Sequence, residues 1–121
     1  MNGIRWAAVA LGLAVMPGAG VAASVGAGFD GSWSVSVATT AGPCDATFRF
    51  PLQIAHGRVF SQDISGVSGR VNRRGGIQVS IRQGDRAAIG SGRLSGSAGA
   101  GRWNGRSASG RCVGYWQATR S

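Results

Sequence analysis

The chain has 121 residues, 22 of them glycine, and a formal net charge of +9 carried by thirteen arginines against four aspartates, with no lysine and no glutamate. That length holds one domain and excludes two of ordinary size. The glycines follow no collagen period and sit among β-branched and aromatic residues, which argues for many short strands joined by tight turns rather than for disorder.

The first element in chain order is a leader. Arg5 supplies a positive charge, and Trp6 to Met16 is an uninterrupted apolar run of the length expected for the hydrophobic part of a secretory signal. It is about half of the roughly 20 residues needed to span a bilayer, and Pro17 and Gly18 then break any helix. Val21 and Ala23 are the small side chains a signal peptidase reads, so cleavage is expected between Ala23 and Ser24, with Ala27 as a later alternative. The expected organisation is a signal-peptide helix over 1–23 and a single domain over 24–121. That domain keeps twelve arginines and all four aspartates, a net charge of +8.

Strands follow, read from period-2 alternation. Trp33, Val35 and Val37 alternate with serines; Phe48, Phe50, Leu52 and Ile54 alternate with polar residues and Pro51; Ile77, Val79 and Ile81 alternate with Gln78 and Ser80. Fainter strands are expected at Arg58–Gln62, Gly66–Val71, Arg86–Leu94, Gly101–Asn104 and Gly110–Ala118. The connections are short and turn-like, as at Ala55-His56-Gly57 and Asn72-Arg73-Arg74-Gly75-Gly76, which predicts an antiparallel meander. Pro51 lacks a ladder donor, so its strand should be at an edge or a bulge there. About eight short strands in one small all-β domain can close into an up-and-down barrel, which removes sheet edges. Closure would bring Trp33 near Trp116.

Cys44 and Cys112 are the only cysteines. In an exported chain two thiols without C-x-x-C spacing most simply form one disulfide, contributing up to about 4 kcal/mol.

Ser-Gly-Arg recurs before an apolar residue at Val71, Leu94 and Cys112, and Gly101-Arg102-Trp103 repeats the pattern without the serine. On a pleated strand, inward-facing Val71, Leu94, Trp103 and Cys112 put Arg70, Arg93, Arg102 and Arg111 outward. The same parity sends Arg49 and Arg82 outward. These six are the candidate binding residues. The opposite face mixes Gly69, Gly90, Gly92, Gly101, Gly110 and Gly114 with large aromatics, as a narrow barrel interior requires.

No catalytic residues and no metal or cofactor site are expected. A Ser-His-Asp triad needs a base held by a carboxylate, and the sole histidine, His56, lies in a turn sequence. Asp30, Asp45, Asp63 and Asp85 all lie at turn-like positions, where aspartate serves local backbone bonding.

Phe29-Asp30-Gly31-Ser32-Trp33 at the start and Cys112-Val113-Gly114-Tyr115-Trp116-Gln117-Ala118 at the end, with the arginine motifs between, resemble a group of small exported, glycine-rich bacterial proteins that open on Asp-Gly-x-Trp and close on Cys-x-Gly-x-Trp-x-Ala. The resemblance implies fold and export and no activity. The architecture is also similar to small periplasmic barrels that inhibit proteases or lysozymes. Three functions follow as expectations. The first is a monomeric, non-catalytic exported protein, periplasmic or secreted, whose arginine face binds an anionic polymer or envelope component. The second is an inhibitor of an exported hydrolase. The third is a carrier of a small apolar ligand.

Overall fold

The computed structural model describes residues 27–121, so the leader helix and the Ala23–Ser24 cleavage point lie outside the described residues. After a 3₁₀ turn at Ala27–Phe29 come eight strands: β1 Gly31–Ala41, β2 Thr47–Ala55, β3 Arg58–Phe60, β4 Val67–Val71, β5 Gly76–Gln83, β6 Arg86–Ser95, β7 Ala98–Ser107 and β8 Gly110–Arg120. Each is antiparallel to the next, and β8 pairs back onto β1, so the sheet closes into an up-and-down barrel. Val37 faces Trp116 across that seam, while Trp33 faces Arg120.

Boundaries differ from the sequence expectation where side chains are small. β7 runs ten residues instead of four, because its inward positions beside Trp103 are Gly99, Gly101 and Gly105, which carry no apolar periodicity to read. β3 stops at Phe60 and β4 starts at Val67, since Gly66 takes a φ of +77° beside Arg82. Pro51 pairs with Ser34 of β1. Its carbonyl accepts from Ser61, past the end of β3, so its missing N–H falls at a local edge of the wall.

The two ends of the barrel differ. At one end, Trp33 is 2% exposed and donates from its indole to the carbonyl of Phe29 at 2.8 Å. Arg120 lies over the Trp33 ring, 5.1 Å from its centroid, and its guanidinium donates to the carbonyls of Gly28, Asp30 and Gly96 at 2.7–2.8 Å. The Asp-Gly-x-Trp opening is thus a plug: Asp30 lends its carbonyl, Gly31 supplies a φ of +132°, and Trp33 fills the base. The first described residues and the end of β8 meet at this closed end.

The opposite end is open. It carries the loops 42–46, 61–66, 84–85 and 108–109. The Cys44–Cys112 disulfide fastens the first of these to β8, with a Cα–Cα separation of 6.2 Å. Gly42 permits the approach, since a Cβ there would stand 2.1 Å from the Arg111 carbonyl. Phe48, just beyond this loop, is 41% exposed although it points inward.

Candidate functional site

All six candidate arginines are exposed on strands and point outward, as alternation requires. They do not form one face. The outward side of a closed sheet is a full cylinder, so parity alone spreads them around it. Arg49 stands on β2, beyond a β1 whose outward residues are Ser32, Ser34 and Ser36. Arg82 and Arg111 lie toward the open end, where Arg111 faces Arg106 directly. Arg102 is midway, 5.8 Å from the centroid of Tyr115.

Arg70 and Arg93 belong to a cluster to which the fold adds Arg58, Arg73 and Arg74, with Arg102, the partner of Ser91, diagonal to Arg93 on the next strand. Arg58 is the cross-strand partner of Arg70. Arg93 is the partner of Gly76 and stands two strands from Arg70, about 10 Å across the sheet. Arg73 and Arg74 occupy the turn between β4 and β5. That turn is pinned: the Asn72 side-chain carbonyl accepts from Arg74 N and Gly76 N at 2.9 Å. Gly75, at φ +92°, takes its place beneath Leu94 N, which donates to its carbonyl at 2.7 Å. The Arg93 guanidinium donates in turn to the Arg74 carbonyl at 3.2 Å.

Beside Arg70 lies a depression of about 430 Å³, bordered by Arg70, Asn72, Gln78 and Ser91. Its floor includes Gly76, over which the Asn72 side chain lies, its amide nitrogen 2.8 Å from where a Cβ would stand. The Asn72 side-chain oxygen is committed to the turn, leaving its amide nitrogen as a donor beside the arginines. The cluster offers donors and positive charge to whatever enters.

The acids do not offset it locally. None of the four aspartates is on a strand. Asp45, Asp63 and Asp85 sit in open-end loops, and Asp30 accepts from His56 N at 3.0 Å. A single like-charge cross-strand pair destabilises by about 0.2–1 kcal/mol, and Arg58–Arg70 is one. A bound anion would reverse the sign of that contribution.

Chemistry of other kinds finds little here. His56 is an exposed turn residue at φ 54°, followed by Gly57 at φ 77°, the pair of positive angles a two-residue hairpin turn of type I′ needs. Among the described residues, no group of three or more histidine, cysteine and acidic side chains is placed to hold a metal ion.

The interior is not filled. A cavity of about 100 Å³ runs between Trp33, Trp103 and Trp116 and the apolar residues of β1, β2, β5 and β6. By the scale of large-to-small core substitutions, a void of that size costs about 2 kcal/mol.

No family model matches the chain, and comparison with curated proteins and with solved structures finds no match. Sequence reasoning missed Arg58, Arg73, Arg74 and Arg106. The adjacent arginines of the Asn-Arg-Arg-Gly-Gly turn were the signal available, since a two-strand hairpin must place them near Arg70 whatever the rest of the fold does.

Proposed function

We propose that this is an exported, non-catalytic protein that binds an anionic polymer of the cell envelope or extracellular space through the closed-end arginine cluster. The observation that carries the reading is the pinned hairpin: Asn72 fixes the backbone of the turn that carries Arg73 and Arg74, next to the like-charge pair Arg58–Arg70 and to Arg93, beside an open depression that Arg70 borders. Fixing the turn backbone keeps the arginines' points of attachment together, and guanidinium groups offer bidentate donors that suit sulfate and phosphate groups. Export rests on the leader and accords with the Cys44–Cys112 disulfide, a bond that persists in oxidising compartments. The likeness to small exported glycine-rich proteins points the same way.

The test compares two variants of equal charge. One carries Arg70, Arg73, Arg74 and Arg93 as glutamine; the other carries Arg49, Arg82, Arg106 and Arg111 as glutamine. Affinity for heparin and for a duplex DNA ruler is measured against salt. Each lost phosphate contact should reduce the log–log slope on DNA by about 0.9. The first variant should lose most of the affinity and the second should keep it. Absence of binding at low salt, or equal loss in both variants, refutes the reading.

A further inference from the structure

The barrel cavity has a lining of carbon. Its three indoles would be the only interior donors, and each is already engaged: Trp33 with Phe29 O at 2.8 Å, Trp103 with Ala38 O at 3.0 Å and Trp116 with Ser91 O at 3.2 Å. A buried water needs two to four polar partners, and this cavity supplies none. It is a dry space. It opens toward solvent at the disulfide-bearing end, where Phe48 is exposed and Ile81 and Ala88 are only partly buried.

Gly90 gives a second, independent indication. Most inward glycines of this barrel are required by their neighbours. A Cβ on Gly69, Gly92, Gly101 or Gly114 would come within 2.3 Å of a main-chain carbonyl oxygen. A Cβ on Gly90 would meet nothing nearer than 3.6 Å, an ordinary van der Waals contact, and the residue has no positive φ. It lines the cavity. Neither backbone conformation nor packing accounts for glycine there, whereas a larger residue would occupy the space.

We propose that this cavity binds the end of one unbranched alkyl chain of an amphiphile, which enters beside Phe48 and leaves its head group outside the mouth. The volume favours a chain over a ring, because about 150 Å³ is the size of a cavity that accepts benzene and this one has about 100 Å³. The open mouth suits a ligand longer than the cavity. Phe48 stacks on Phe50 with centroids 6.0 Å apart and meets Trp103 edge-on at 6.5 Å, which gives the emerging chain an aromatic wall. Its mouth is at the other end of the barrel from the arginine cluster, and the two readings stand or fall separately.

Calorimetric titration with decanoate, decyltrimethylammonium and decyl maltoside, each below its micellar concentration, holds the chain constant while the head varies. Naphthalene serves as the ring probe. All three decyl compounds should bind saturably, one per protein, and more tightly than naphthalene. Gly90→Val should weaken each at least tenfold without lowering the thermal midpoint. Ala88→Leu, at the partly exposed rim, should do the same and serves if the first variant fails to fold. The proposal is overturned if no decyl compound binds, if naphthalene binds as well, or if folded cavity-filling variants bind with unchanged affinity.

Discussion

Trp116 reaches across Gly101. The two are cross-strand partners on β8 and β7, and the indole passes over the glycine to donate to Ser91 O on β6. Trp103 does the mirror image, passing from β7 over its partner Gly114 to Ala38 O on β1. Each tryptophan therefore ties three adjacent strands, and each needs a glycine in the middle one.

Gly101→Ala should accordingly be costly out of proportion to one methyl. Its Cβ would lie 2.0 Å from Ser91 O and 2.6 Å from the Trp116 indole nitrogen. Overpacking and the broken hydrogen bond together should destabilise by about 2–4 kcal/mol. Thermal or urea unfolding would measure it. Gly90→Ala is the comparison, expected to leave the midpoint unchanged or raise it.

Arg120 should matter for stability more than for charge. Its guanidinium spans the carbonyls of Gly28, Asp30 and Gly96 while stacking on Trp33. Hydrogen bonds from a charged donor contribute about 1.5–3 kcal/mol. Arg120→Ala should lose stability on that order and expose the Trp33 ring to acrylamide quenching. Arg120→Lys should recover little, because an ammonium lacks the planar fork that reaches several acceptors at once.

A gain is expected at the open end. Arg106 and Arg111 face each other on β7 and β8, and like charges so placed repel. Arg111→Glu should therefore stabilise the barrel by about 0.5–1 kcal/mol at low ionic strength. The gain should shrink as salt screens the pair. A midpoint that falls in the variant at every salt concentration would contradict this account.

Much of the barrel was legible because inward and outward residues alternate wherever the inward ones are large. The alternations of Trp33, Val35 and Val37 and of Phe48 through Ile54 gave strand and face together. β7 was half hidden, since Gly99, Gly101 and Gly105 carry no periodic signal. The arginines show the sharper limit. Parity tells which side of a strand a residue occupies, and it placed Arg49 and Arg70 alike; only register around a closed sheet separates them. The cavity was out of reach as well, because its volume depends on how far Trp103 and Trp116 lean across their glycines, and residue types alone do not fix that.

Closure by β8 on β1 also bears on how the chain assembles. Seven of the eight pairings join neighbours in sequence and can form as local hairpins, whereas the seam joins the two most distant strands. Such pairings bear the largest loop-closure entropy and tend to come late in folding. Cys44 lies between β1 and β2, and Cys112 lies within β8, so the bridge straddles that seam. In the oxidised chain the slowest pairing begins with its two strands already leashed together.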